Sequence, residues 1–459
     1  MNPGTSTDVW WHVYPLGFCG VLGNDLDANP AATHAGQAPL LRLVGWLDHA
    51  VDLGATGVLL GPVFHASSHG YDTIDYFRID PRLGTNNDFA TLIDQVHARG
   101  LKICLDGVFN HVGYEFPAFQ ALRNEGPDSP TAGMFTLYWD EWKPGDLPKY
   151  NMFEGHWQLP ELNHTSTDVR NLVDEVMRFW CAQGVDAWRL DAAYAVDPDF
   201  WAGILPGLRR DFPDVYVFGE VIHGDYVDIV QRSHMDSLTE YELWKAIWSS
   251  IENLNFFELE WTLGRHEVFT QSFVPQTFIS NHDVTRIASQ VPFENLPHAT
   301  ALLLLLPGTP SIYYGDEFAL RGVKEERPGG DDAVRPAFPA SPSDFIAEGE
   351  SLEILRLYKD LIAFRRQRPW LWDAVCRVEQ VSNEQLLLVL QERQTEDGLR
   401  PRKIMLALNI GEEASFVAYG STENLVKILA GEGAGEVLDN LSRIDMSAHS
   451  WMILENTRI

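Results

Sequence analysis

Short apolar runs alternate with amphipathic stretches over the first four-fifths of the chain. The runs predict strands at Val9–Tyr14, Gly57–Leu60, Lys102–Val108, Ala187–Asp191, Tyr216–Glu220, Ser237–Thr239, Gln276–Ile279 and Ser311–Tyr314. They are short and continuous, as in strands covered on both faces. The clearest helix between them is Asp168 to Gln183. There Val169, Leu172, Val173, Val176, Met177 and Trp180 recur at three- and four-residue spacing, Thr167 stands as a cap and Gly184 as a stop. Strands alternating with helices predict an α/β chain, either a (β/α)8 TIM barrel or a doubly wound sheet, and the alternation fits both.

Two stretches break the rhythm. More than about fifty residues separate the third strand from the Asp168 helix, far beyond an ordinary connection, so an inserted subdomain is expected after strand 3. It is rich in aromatics: Tyr114, Phe116, Phe119, Phe135, Tyr138, Trp139, Trp142, Tyr150, Phe153 and Trp157. After a helix at Leu352–Arg368 the period falls to two, in Leu386–Leu390, Lys403–Leu408, Val426–Leu429 and Trp451–Leu454. That predicts a C-terminal antiparallel β domain. The expected division is 1–111 and 167–370 for the barrel, 112–166 for the insert and 371–459 for the β domain. The glycine-rich Gly431–Gly435 segment opens no helix and reads as a turn.

Charge narrows the partners. The 459 residues carry 34 Lys and Arg against 65 Asp and Glu, a net charge of −31. Such a surface repels phosphate backbones and anionic lipid, so neither nucleic acid nor membrane is expected as a partner. No apolar block is long enough to cross a bilayer, and Met1–Asp8 shows neither a basic nor an apolar leader. The cysteines Cys19, Cys104, Cys181 and Cys376 have no metal spacing and fit free thiols. A cytoplasmic location is expected on these grounds.

The strand ends carry the chemistry. Arg189 and Asp191, two apart on one strand, point the same way, so the cation opposes protonation of the carboxylate. Taken alone this is the pattern of a structural ion pair. But the third strand ends in Asp106-Gly-Val-Phe-Asn110-His111, the fifth in Phe218-Gly219-Glu220 and the seventh in Ser280-Asn281-His282-Asp283. In a barrel such ends converge, bringing together Asp191, Glu220 and Asp283 with Arg189, His111 and His282. Two carboxylates in different environments suit glycoside cleavage, one as nucleophile and one as acid. The histidines lie on separate strands without a metal motif, so no catalytic metal is expected.

At these residues the sequence resembles the α-amylase superfamily, glycoside hydrolase family 13. Four of its marker regions appear in order, at Asp106–His111, Gly184–Tyr194, Phe218–Val221 and Phe278–Asp283. Weaker matches are Gly57–Phe64, Leu159–Asn163 and Gly308–Glu317. The resemblance implies that Asp191 is the nucleophile, Glu220 the general acid/base and Asp283 the carboxylate that orients substrate. It implies sugar contacts for His111, His282 and Arg189, stacking for Tyr71, and further contacts for Asp106, Arg286 and Trp157. The run His69–Phe77, then Ile79-Asp80-Pro81 and Gly84, looks like the cyclomaltodextrinase, maltogenic amylase and neopullulanase group, with cyclic maltosyl-maltose hydrolase close by. Glu161 stands where that group usually has lysine. The group's extra N-terminal β domain is not expected, because the first strand begins at about Val9.

The substrate implied is a short or cyclic α-glucan oligosaccharide, cleaved at α-1,4 bonds mainly to maltose. A transglycosylase or isomerase on the same barrel, or an inactive binding relative, are the alternatives. The likeness implies a homodimer and no required cofactor. Calcium is possible through Asn110, whose position matches a calcium-binding asparagine of many amylases.

Overall fold

The computed structural model describes residues 7–22, 37–327, 329–345, 347–393, 401–418, 425–431, 435–438 and 443–456. The first six residues of Met1–Asp8, and Glu432, Gly433 and Ala434 of the glycine-rich segment, lie outside them. The chain forms two compact units, one of residues 11–238 and 335–346, the other of 1–10, 239–334 and 347–459.

In the first unit the strands are β1 (Trp10–Val13), β2 (Gly57–Leu60), β3 (Phe64–Ala66), β4 (Thr73–Ile79), β5 (Lys102–Gly107), β6 (Leu137–Tyr138), β7 (Lys149–Tyr150), β8 (Ala187–Leu190), β9 (Tyr216–Gly219) and β10 (Ser237–Leu238). Six of them form a sheet in the order β10-β9-β8-β5-β2-β1. Each lies beside its neighbour in the barrel series, without the reversal that marks a doubly wound sheet. The register sets Asp106 opposite Arg189 and Arg189 opposite Phe218. The helix Thr167–Ala182 buries Val169, Val173, Val176, Met177 and Trp180, as its periodicity predicts. Its cap position is Ser166, one residue before the expected Thr167, and Gly184 follows the helix with φ 106. That left-handed turn is open to glycine at no steric cost.

Between β5 and that helix, β6 and β7 pair antiparallel, and Phe119 packs edge-on against Phe135 at 5.1 Å and Tyr150 at 4.8 Å. These rings form a small core of their own, while Trp157 is 55% exposed. A feature that the apolar runs did not predict is the antiparallel pair β3–β4, whose connecting loop carries Tyr71. Its strands alternate too weakly to register as a buried run.

In the second unit β11 (Gln276–Phe278) pairs parallel with β12 (Thr309–Tyr313). The helix Leu296–Leu305 is buried almost all round, which explains its unbroken apolar sequence. The remaining strands are β13 (Val375–Val381), β14 (Gln385–Gln391), β15 (Lys403–Asn409), β16 (Ser415–Ala418), β17 (Leu425–Ala430), β18 (Val437–Leu438), β19 (Arg443–Met446) and β20 (Ser450–Asn456). They make two antiparallel sheets, β13-β14-β15-β20-β17 and β16-β19-β18. Leu387, Val389, Met405, Ala407, Met452 and Leu454 pack with Val417, Ile444 and Met446 in one core. The i, i+2 spacing of those side chains is the period-two signal seen in the sequence. His298 anchors the Leu296–Leu305 helix here, donating from Nε2 to the carbonyls of Asn409 at 3.1 Å and Ser450 at 3.0 Å.

Candidate active site

In the first unit one guanidinium gathers three carboxylates. Arg189 Nη1 donates to Asp106 at 2.7 and 2.6 Å and to Asp191 Oδ1 at 3.3 Å, and its Nη2 lies 2.7 Å from Glu220 Oε1. All four residues are buried. Burial works against the charged guanidinium, but Asp106 and then Glu220 outweigh it and hold its pKa well above the usual value. Buried carboxylates need such a partner, since uncompensated charge in the interior costs several kcal/mol (about 3–5). Strand register explains the meeting: Asp106 and Arg189 are Cα partners on β5 and β8, and Glu220 follows β9 directly.

The backbone completes the arrangement. Ala192 sits in the left-handed region at φ 45, and its N–H donates to Glu220 Oε2 at 3.1 Å. A non-glycine residue held there costs of order 1 kcal/mol and marks a constrained site. Asp191 N–H donates to the Gly107 carbonyl at 3.1 Å and Glu220 N–H to that of Leu190 at 2.9 Å, so both carboxylates are pinned at their roots.

Tyr71 enters from the β3–β4 loop. Its hydroxyl donates to Asp106 Oδ2 at 3.0 Å, and its carbonyl accepts from His111 Nε2 at 2.9 Å. The turn before it needs Gly70, which has φ +92 and where a Cβ would stand 3.0 Å from Pro62 Cβ. With Nε2 donating, His111 Nδ1 faces the Asn110 amide at 3.3 Å, which fits a neutral ring. Burial pushes the His111 pKa down to about 4. Phe153 of the insert stacks on this ring at 4.6 Å and 14°. The Asn110 amide is thus turned to its neighbour, and among the described residues no group of three or more His, Cys, Asp or Glu is set to hold a metal ion. Trp157 stands at the insert's surface with its ring edge-on to Tyr114 at 5.2 Å. The Glu161 carboxyl is half-buried, and burial raises its pKa.

In the second unit the segment after β11 is built by its own polar groups. Asn281 donates to Tyr241 Oη at 2.9 Å and accepts from the Asp283 N–H at 2.8 Å. His282 Nε2 lies 2.8 Å from Asp283 Oδ2. Arg286, for which the family resemblance implies a substrate contact, is 0% exposed, and both Nη atoms of its guanidinium bond to protein. It donates to Asp316 Oδ1, the Tyr314 carbonyl and the Val334 carbonyl, each at 3.0 Å, and lies 4.4 Å over the Tyr313 ring. Burial pushes its partner Asp316 up to about 7, with Arg286 pulling the other way. A sequence motif gives spacing but not direction, and here the side chain turns inward.

Residues 42–344 match the family described as alpha amylase, catalytic domain. The chain belongs to the α-amylase family of glycoside hydrolases. It is 28% identical to a maltogenic alpha-amylase of Bacillus acidopullulyticus over 97% of this chain and 77% of that one. It is 29% identical to a cyclomaltodextrinase of Geobacillus thermopakistaniensis over 78% of this chain, and 29% identical to an intracellular maltogenic amylase of Bacillus subtilis over 78%. It spans 62% and 61% of the length of those two relatives. Among solved structures it superposes on the ligand-free cyclic alpha-maltosyl-(1-->6)-maltose hydrolase of Arthrobacter globiformis with a TM-score of 0.78 at 24% identity, covering 99% of both chains. The debranching enzyme of Nostoc punctiforme gives 0.78 at 23%, again over 99% of both. The fold is therefore the (β/α)8 barrel of that family with an insert after its third strand and a C-terminal antiparallel β domain. No helix among the described residues is long and apolar enough to cross a membrane.

Proposed function

We propose that the protein is a retaining glycosidase that cleaves α-1,4 bonds in short or cyclic malto-oligosaccharides and releases mainly maltose. The observation that carries this is the single buried Arg189 fork shared by Asp191 and Glu220. It supports a close carboxyl pair of the kind that retaining enzymes use, about 5–5.5 Å apart. Asp191 attacks the anomeric carbon while Glu220 gives a proton to the departing glycosidic oxygen. Glu220 then takes a proton from water as the glycosyl ester is broken. Asp283, after the seventh barrel strand, is the third carboxylate by its place in the family's motif. Tyr71, His111, Asp106, Arg189 and His282 hold the sugar, with Trp157 as an exposed platform on the insert.

Relatives named maltogenic amylase and cyclomaltodextrinase support the α-1,4 reading. The loop before Tyr71 supports small or cyclic substrates. Exo-acting α-glucosidases of the family generally carry an aspartate three residues before this tyrosine, but here Ser68 stands there, with its hydroxyl donated to the buried Asp72. Without that carboxylate a chain end has less to recognise it, a difference of about 1.5–3 kcal/mol for one charged hydrogen bond. Division at 1–111 with 167–370, 112–166 and 371–459, a cytoplasmic location and a homodimer complete the proposal. The four buried free cysteines fit a reducing compartment. The test is product analysis with a cyclodextrin, a cyclic tetrasaccharide, maltotetraose, soluble starch and an aryl α-glucoside. Maltose from the ring and from maltotetraose is expected. Fastest turnover on starch, or glucose alone from the aryl glucoside, overturns the reading.

A further inference from the structure

The insert reaches the site through two consecutive residues that do different things. Phe153 covers the His111 ring at 4.6 Å, beyond the end of β5. Glu154 turns the other way, and its Oε1 accepts a hydrogen bond from Tyr194 Oη at 2.8 Å. Tyr194 is three residues past Asp191, and its N–H donates to the Glu220 carbonyl at 3.2 Å. Its ring lies 5.6 Å from that of His223, three residues past Glu220. One turn of the insert thus joins the end of the third barrel strand to the loops that leave both reacting carboxylates.

The backbone shows that this turn is specified. Glu154 is left-handed, with φ 49 and ψ 27, inside the tight turn Phe153–Gly155. The turn is closed by Phe153 N–H to the Leu159 carbonyl at 3.0 Å and His156 N–H to that of Phe153 at 2.9 Å. A non-glycine residue held in this region signals a constraint. Here the conformation points the carboxylate at the phenol. Burial first, and the Glu154 bond next, raise the pKa of the half-buried Tyr194, so the phenol stays a donor.

We propose that Glu154 is a positioning residue, fixing Tyr194 so that the insert stays closed over the loop after Asp191 and water is disfavoured against a second sugar as acceptor. The inference rests on the glycosidase reading above. In the step concerned, the ester bond between Asp191 and the anomeric carbon breaks. The acceptor oxygen bonds to that carbon, and its proton passes to Glu220, whether the acceptor is water or a sugar hydroxyl. Closing the roof changes which acceptor arrives and leaves the bond chemistry as it is.

The experiment follows maltotetraose with purified protein and reads transfer products against reducing ends, for wild type, Glu154→Ala, Glu154→Gln, Tyr194→Phe and the double variant Glu154→Ala/Tyr194→Phe. Losing one hydrogen bond is expected to lower the transfer-to-hydrolysis ratio about two- to tenfold. Glu154→Ala and Tyr194→Phe are expected to match each other, with no further fall in the double variant. Glu154→Gln, whose amide oxygen still accepts from the phenol, is expected to stay near wild type. Glu154 is exposed, so melting should be little changed and the ratio is not a report on folding. An unchanged ratio in Glu154→Ala, full additivity in the double variant, or a Glu154→Gln as altered as the alanine overturns the proposal. A wild type that cleaves no glucan overturns it together with the glycosidase reading, whereas cleavage with an unmoved ratio overturns the clasp alone.

Discussion

Replacing Arg189 by Met keeps the volume and removes the charge. The structure then leaves Asp106, Asp191 and Glu220 without the cation that lies 2.6, 3.3 and 2.7 Å from them. Charges about 4 Å apart interact by about 4 kcal/mol at an effective dielectric of about 20, and removing one member of a buried network costs about 3–5 kcal/mol. We therefore expect Arg189→Met to lose about 3–5 kcal/mol in urea unfolding. Adding Asp106→Asn removes one of the stranded charges and should return part of that loss, so the double variant is more stable than Arg189→Met alone. Activity should behave differently. Asp191 loses an anchoring bond in both variants, and a misplaced reacting group costs about a hundredfold or more in kcat/KM, so the double variant stays inactive. The assay is a double-mutant cycle in urea beside initial rates on maltotetraose. A loss under about 1 kcal/mol for Arg189→Met, or an Asp106→Asn that destabilises it further, would refute the view that one guanidinium holds the three carboxylates.

Asp191→Asn and Glu220→Gln should each remove nearly all turnover while the fold is kept, and NMR of the first product released by wild type should show the α anomer; an inverted anomer would sink the retaining assignment. His111 and His298 are both buried, and burial lowers each to about 4. A depressed histidine stabilises the folded state above its unfolded value near 6.5 and loses that contribution as pH falls toward 4, by up to about 3 kcal/mol for each ring. Unfolding measured from pH 7 down to 4 should show this loss, and His298→Gln should flatten the slope. Light scattering at micromolar concentration should give twice the chain mass, and a monomer refutes the dimer.

The period of the apolar residues was enough to place the eight barrel strands to within about two residues. The reason is that short strands covered on both faces leave an unbroken apolar signature, and the helix Thr167–Ala182 leaves a three-four one. The carboxylates were legible for the same reason, since a charge that ends an apolar run sits at a strand's end. The sequence also marked the C-terminal strands β14, β15, β17 and β20, but β13, β16, β18 and β19 have weak or brief alternation and went unseen. Spacing alone left barrel and doubly wound sheet equal. Only the neighbour order of strands, a non-local property, separates them, and β10-β9-β8-β5-β2-β1 runs without reversal. Tertiary structure also decided where side chains point. It turned Arg286 inward onto Asp316 and the Tyr313 ring, and it turned Arg189 onto three carboxylates, although both are arginines in or just after stretches that resemble the family's marker regions. The contact between Glu154 and Tyr194, forty residues apart in sequence, has no local signature. Periodicity fixes which face of an element is buried, because that depends on near neighbours in the chain. Which polar groups meet across elements depends on register and loop closure, and these exist only once the chain has folded.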